Sequence, residues 1–309
     1  MSALQAVTIT LNPAVDCTVT IPRFASGAVN RVETVQDRAG GKGVNVALAL
    51  SGMEHRVAAT GFLGEENRAL FDKAFHDAQV ADYFVHLPGS TRVGIKIVDD
   101  VRKETTDINF PGLAPSAAEL KRLTDGIGQL SASWFVLSGS LPEGLDAATY
   151  GTLIRALRAR GCKVALDTSG EPLKLALEAV PHIIKPNVDE LSALLGTMLD
   201  TREKIIHAAR ELLGRGVELV VVSMGAEGAL FVTQHELITA VPPDMPVRST
   251  VGAGDAMVAG IISGALRGLS LADLARLATA SSMRVLARNF DSATAVPELE
   301  PLMSTVMIT

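Results

Sequence analysis

The chain has little cysteine, few aromatic side chains and no surplus of positive charge, and each shortage removes a class of protein. Cys17 and Cys162 are the two cysteines in 309 residues, too few for a disulfide framework, which fits a reducing compartment. Aromatic residues make up 4% against 48% hydrophobic residues, so a sizeable core must be built mostly from Ala, Val and Leu. With 28 basic and 34 acidic residues the formal net charge is −6, so the basic surface that nucleic-acid binding needs is missing and no such partner is expected. No apolar run reaches the length of a membrane-spanning helix, and no membrane partner is expected. The opening residues 1–5 lack the basic and apolar regions of a signal peptide, so a cytoplasmic location is the expectation. Two glycine signatures are also absent. A dinucleotide fingerprint fails because Met257 stands three positions after Gly254, and a Walker loop fails because Gly41-Lys42 is followed by Gly43.

What is present centres on Ser249-Thr250-Val251-Gly252-Ala253-Gly254-Asp255, followed by an apolar, Ala/Gly-rich run. Small residues at a turn let backbone N–H groups point into one space, and a helix starting there adds its positive end. Such a cradle suits an anion. A carboxylate beside it makes sense where Asp255 takes a proton from a hydroxyl that then attacks a phosphoryl group. The same aspartate also suits a plain helix cap. A second cluster, Arg38-Ala39-Gly40-Gly41-Lys42-Gly43-Val44-Asn45, puts three glycines in four positions ahead of a helix expected to begin near Val44. There Lys42 offers a point charge and Asn45 hydrogen bonds, or the stretch is a glycine turn with a solvated lysine.

Hydrophobic patterning predicts core strands at 6–11, 56–61, 134–137, 163–167, 182–185, 218–223, 229–233 and 237–241. Helices are predicted at 65–79, 117–130, 145–160, 171–179, 201–215, 271–288 and 298–307. That alternation implies an α/β fold with a mainly parallel sheet covered on both faces. Short β-prone pieces at 17–21, 31–35, 91–99 and 103–110 sit too close together for crossover helices. They are expected to form a small sheet beside the main one, built from excursions at about 12–37 and 88–112 of a single domain. Polar clusters recur at predicted strand ends: Asp16, Ser138–Ser140, Lys185–Glu190 and Ser223–Gly228. In an open α/β sheet that is where ligands bind, although Asp16 is also an ordinary turn residue and Asn187/Glu190 an ordinary helix cap.

Taken together, the glycine–aspartate motif, Gly-Gly-Lys-Gly-Val-Asn-Val-Ala, Lys185-Pro186-Asn187 with Glu190, and the opening Thr-Leu-Asn-Pro-Ala-Val-Asp resemble the ribokinase-like sugar kinases, in their phosphofructokinase B branch. The resemblance runs from about Val7 to Asn289 and implies a three-layer α/β/α sandwich with a small β-sheet lid. It implies ATP- and Mg²⁺-dependent conversion of fructose 1-phosphate to fructose 1,6-bisphosphate, with tagatose 6-phosphate or fructose 6-phosphate as the alternative substrate. By the same resemblance Asp255 is the base, and Gly252, Ala253 and Gly254 surround the transferring phosphoryl. Asp16, Gly41, Asn45 and Ser140 contact the sugar; Lys42 and Arg92 are expected on its existing phosphate because a dianion needs cationic partners. Lys185, Asn187, Ser223, Gly225, Ala226, Gly228 and Thr250 border ATP, while Asn187 and Glu190 organise Mg²⁺ through water. Arg38 is expected to be solvated, Asn289-Phe290-Asp291 departs from the family near adenine, and a homodimer through the lid strands is expected.

Overall fold

The computed structural model describes residues 3–247, 250–287 and 298–309. The chain begins with β1 (Leu4–Thr10), whose residues 6–10 are all buried, as the middle of a parallel sheet requires. It leaves the sheet for β2 (Ala14–Thr20) and β3 (Thr34–Gly40), then returns through α1 (Lys42–Ser51) to β4 (Val57–Gly64). After α2 (Ala69–Ala78) and the short β5 (Ala81–Asp82) and β6 (Val85–Leu87), a second excursion makes β7 (Val93–Asp99) and β8 (Glu104–Asn109). Helix and strand then alternate through α3 (Ala117–Gln129), β9 (Ala132–Ser138), α4 (Thr149–Ala159), β10 (Lys163–Asp167), α5 (Gly170–Leu177) and β11 (Ile183–Ile184). Next come α6 (Val188–Leu195), α7 (Arg202–Gly214), β12 (Leu219–Ser223), β13 (Ala229–Val232) and β14 (Leu237–Val241). The chain finishes with α8 (Ala253–Leu266), α9 (Leu271–Leu286), α10 (Leu299–Thr305) and β15 (Met307–Ile308).

The large sheet has eleven strands in the order β15-β14-β13-β12-β11-β10-β9-β1-β4-β5, with β6 also on β4. From β12 to β5 every pairing is parallel, and β13 to β15 add an antiparallel edge. The period-2 alternation of side chains splits the core in two. Trp134 and Val136 of β9 pack under α1, α2, α8 and α9, while Phe135 and Leu137 pack against the helices from α3 to α7. The result is the expected three-layer sandwich. The strand order reverses at β1: the chain builds β4 on one side of it and β9 to β12 on the other. The crevice above such a reversal, at the carboxyl ends of the strands, is the natural ligand site of this architecture.

The second sheet has four strands in the order β3-β2-β7-β8, around a small core of Val19, Ile21 and Ile97. So little apolar surface needs help from polar groups. The buried Asp99 supplies it, its Oδ1 accepting N–H bonds from Arg23, Val101 and Arg102 at 2.9, 3.1 and 3.1 Å. All four strands of this sheet differ from their sequence-based bounds, β7 and β8 by only one or two residues at an end and β2 and β3 by more. Instead of 31–35, β3 covers Thr34–Gly40, because its ladder with β2 continues to the Ala14–Gly40 pair and carries the chain straight into the glycine cluster. For the same reason Asp16 lies inside β2, opposite Arg38, and reaches the site on the small sheet rather than from the end of a core strand. The stretch 65–68, read as helix, precedes α2, which begins at Ala69. Ser249 and Asn289-Phe290-Asp291 lie outside the described residues.

Candidate active site

Helix α8 is apolar almost all round and is buried from Asp255 to Gly264, clamped between α1 and α9. Its N-cap, Gly252, has φ +76° and no side chain to cap the helix, so the first-turn amides of Gly254 and Asp255 lack intrahelical partners. The Ala253 N–H instead closes a turn onto the Thr250 carbonyl at 3.3 Å, which removes it from the cradle that the sequence assigned to it. Asp255 is not the cap. It sits in the first turn, 6% exposed, and its Oδ2 accepts a 2.8 Å hydrogen bond from Asn45 Nδ2 on α1. Burial pushes its carboxyl up to about 6, with the charge of Asp167 adding to the rise and Asn45, Lys42 and Lys185 opposing it.

Asp167, which the sequence reading passed over as the last residue of a strand, is the hub of the charged cluster. It is 2% exposed at the carboxyl end of β10, and its two oxygens face Lys42 at 3.2 Å and Lys185 at 3.5 Å. The signal was available, since a carboxylate ending a parallel strand lies at the ligand edge of the sheet. Lys42 loses some preference for its proton through burial, yet the carboxylates of Asp167, Asp255 and Glu190 together raise its pKa. The Lys185 ammonium lies 3.5 Å from where a side chain on Gly254 would begin, so that glycine opens the cradle to a cation. Lys42, Lys185, Asp167 and Asp255 therefore surround one space at the start of α8.

On one side of this space a cleft of about 1170 Å³ takes in Asp16, Asn45, Thr250 and Gly252. The Asp16 carboxylate packs where a side chain on Gly40 would stand. Burial raises its pKa, while Arg92 and Lys96 oppose the rise. Arg92 is half-buried, and its Nε has no hydrogen-bond partner among the described residues. Ser140 accepts a 3.1 Å hydrogen bond from Asn12, beside the Gly139 turn whose carbonyl takes bonds from Tyr150 and Thr168 at 3.1 and 2.8 Å. Gly41, with φ +101°, is the N-cap of α1, which places Lys42 in its first turn rather than ahead of it. Arg38, read as solvated, is partly buried in the wall of this cleft and donates to Gln36 at 3.1 Å.

On the other side, Asn187 and Glu190 form the complete capping box of α6. The Glu190 N–H donates to Asn187 at 2.7 Å and the Asn187 N–H to Glu190 Oε2 at 2.9 Å. The cap is thus present, and it leaves Glu190 Oε1 outside the pair. Ser223 joins the same edge through an N–H bond to Pro186 at 3.1 Å, and Gly225 and Ala226 form an exposed turn after it. Gly228 is different. It is buried, and a side chain there would start 2.0 Å from the Ala240 carbonyl, so close strand packing demands this glycine. Thr250 falls in the wall of the Asp16–Asn45 cleft.

Residues 5–296 match the pfkB family of carbohydrate kinases. The 1-phosphofructokinase of Rhodobacter capsulatus is 51% identical over 286 residues, covering 92% of this chain and 90% of that protein. The 1-phosphofructokinase of Escherichia coli (strain K12) is 37% identical over 304 residues, covering 98% and 97%. Among solved structures, phosphofructokinase-2 from Escherichia coli in complex with fructose-6-phosphate superposes with a TM-score of 0.90 at 27% identity, covering 97% of this chain and 98% of that one. Arabidopsis thaliana ribokinase complexed with ribose and ATP gives 0.78 at 25% identity, covering 98% and 99%. With its sandwich, its small second sheet and the charged cluster at the start of α8, the chain belongs to the pfkB family of carbohydrate kinases.

Proposed function

We propose that the protein transfers the γ-phosphoryl group of ATP to the free primary hydroxyl of fructose 1-phosphate, giving fructose 1,6-bisphosphate. The observation that carries the chemistry is a buried carboxylate, lifted to about 6, at the mouth of an uncapped helix flanked by two lysines. A base with that pKa is ionised at neutral pH and still accepts a proton. Asn45 orients it, so that Asp255 takes the hydroxyl proton as the oxygen attacks phosphorus. The open amides of Gly254 and Asp255, with Lys42 and Lys185, stabilise charge on the transferring group. Asp16 and Asn45 hold sugar hydroxyls, Arg92 and Ser140 hold the existing phosphate in place of the expected Arg92 and Lys42, since Lys42 faces Asp167 and Asp255 instead, and Lys185, Ser223, Gly225 and Ala226 border the nucleotide. The choice of fructose 1-phosphate over its 6-phosphate isomers rests on the relatives of 51% and 37% identity. A coupled ADP-release assay across fructose 1-phosphate, fructose 6-phosphate, tagatose 6-phosphate and fructose tests it; a higher kcat/KM for either 6-phosphate would overturn it.

Among the described residues no three acidic, His or Cys side chains converge into a metal cage. That suits Mg²⁺ held largely by phosphate oxygens and water, with one or two carboxylates. Glu190 fits, because one oxygen is free of the capping box and its charge is felt at Lys42. When bound, the ion would neutralise charge on the nucleotide phosphates. Glu190→Gln tests this cleanly, since glutamine also completes a capping box and leaves α6 intact. The expected result is an unchanged melting temperature with a higher Mg²⁺ concentration at half-maximal rate. An unchanged Mg²⁺ dependence would leave Glu190 as a cap alone.

The same reading includes a cytoplasmic homodimer joined through the small sheet. Among the described residues neither edge strand pairs further; Val35 and Ile108 on those edges are exposed at 61 and 44%, and Val29 and Phe110 in the adjoining loops at 91 and 49%. Exposed apolar edges of this kind are usually covered by pairing. Ile108→Lys is expected to convert a dimer to a monomer in sedimentation equilibrium, and a wild-type monomer would refute the proposal.

A further inference from the structure

The small sheet is joined to the sandwich where the chain crosses at residues 11–13, 40–41, 91–92 and 110–112. The side of the third crossing that belongs to the sandwich is fixed. Asn67 accepts from the Thr91 N–H and donates to the Thr91 carbonyl, both at 2.8 Å, and Thr91 Oγ1 accepts from the Gly64 N–H at 2.8 Å. Arg92 is therefore the first residue free to move with the small sheet, and its carbonyl accepts from the Val15 N–H at 2.8 Å. Asn12, at the first crossing, touches the other parts. Its backbone carbonyl accepts from Arg92 Nη2 at 3.4 Å, and its Nδ2 donates to Ser140 Oγ at 3.1 Å. Its Oδ1 occupies the place of a missing side chain at Gly112, 2.1 Å from where that Cβ would be.

We infer that Asn12 is a positioning residue for the phosphate end of the sugar site, seated by its amide in a socket that only glycine at 112 leaves open. The inference rests on the phosphosugar-kinase reading. Ser140 is anchored to the sandwich and Arg92 to the small sheet, so their separation changes with any movement between the two. Asn12 bonds to both and fixes that separation. It also sets their donors. A serine oxygen that accepts from Asn12 keeps its own proton to give elsewhere, and Arg92 Nε–H is buried without a protein partner among the described residues. Two donors are thus left for a phosphate dianion, from elements that no local sequence pattern links.

A double-mutant cycle tests the socket. Gly112 does not have a positive φ, so alanine fits its backbone, and the nearest obstacles are the Asn12 amide and, at 3.5 Å, Arg92 Cδ. Gly112→Ala is expected to raise KM for fructose 1-phosphate about tenfold, the size of one lost hydrogen bond, while kcat and KM for ATP stay within about twofold. Asn12→Ala should do the same. The double variant should be no worse than Asn12→Ala alone, because the new methyl then enters vacated space. A multiplied loss of about a hundredfold in the double variant would overturn the socket. An equal loss with unphosphorylated fructose would assign Asn12 to general support of the small sheet and overturn the phosphate-end role. Asn12→Ser replaces Asn12→Ala in the cycle if the latter does not fold. Failure of the wild type to use any phosphosugar would instead refute the underlying function, so the two failures are distinguishable.

Discussion

An Asp255→Asn enzyme is expected to bind both substrates with nearly unchanged KM and to turn over roughly 10²–10⁴ times more slowly, the range for loss of a general base. Asparagine keeps the shape and can still bond Asn45, so the fold survives. The pH profile gives an independent readout. With the Asp255 carboxyl lifted to about 6 by burial, kcat/KM of the wild type should fall tenfold per unit below that pH, as the base becomes protonated. This acid limb should vanish in the variant. Stability should move the opposite way. Below the unfolded value of 3.8 the group is neutral in both states, and above about 6 the folded state carries a buried charge. A rise of about two units at about 1.4 kcal/mol each makes that charge cost about 3 kcal/mol. The variant should therefore melt higher than wild type at pH 8 and equally at pH 3. Near-normal turnover with an intact acid limb would show that Asp255 is structural.

The sandwich was legible because its signals are repetitive: apolar strands end in polar clusters, and helices of ordinary length separate them. β10 and β14 fall on their predicted bounds, 163–167 and 237–241. What failed was local punctuation overridden by long-range pairing. Gly40 reads as a loop residue, yet its bonding to Ala14 and the Asp16 carboxylate packed against it hold it in β3. The short β5, β6 and β15 left no readable period, since two or three residues contain none. In the site, Asp255, Asn45, Lys42 and Lys185 were named from motifs, and the folded chain brings them together around Asp167. Asp167 closes β10 on its predicted bound, so its place at the ligand edge was legible, but its importance was not, because that comes from two lysines delivered by α1 and by the residue after β11. Asn187 and Glu190 show the converse difficulty: one spacing suits both a cap, which the folded chain forms, and the proposed cation ligand, for which one Glu190 oxygen is left outside the cap.

Neutralising that hub should be the most damaging single change outside Asp255. In Asp167→Asn, Lys185 keeps its charge at 7% exposure but loses the carboxylate 3.5 Å away, and Lys42 loses its partner at 3.2 Å. Removing one member of a buried ion pair typically destabilises by about 3–5 kcal/mol, because the other charge is left uncompensated. Both ammonium groups would then drift from the start of α8, and loss of preorganised charge at a transferring group lowers kcat by roughly 10²–10³. A smaller kcat alone would not separate positioning from partial unfolding; the acid limb does. The charge of Asp167 helps hold the Asp255 carboxyl up, so without it Asp255 ionises at lower pH. The limb near 6 should shift downward, and the ratio of the rate at pH 5 to that at pH 8 should exceed the wild-type ratio even as both rates fall. Measured on the folded fraction below the melting transition, an unmoved limb with an unchanged kcat would reduce Asp167 to a structural staple of β10. A lowered kcat with the limb displaced downward would establish it as the residue that sets the electrostatics of phosphoryl transfer.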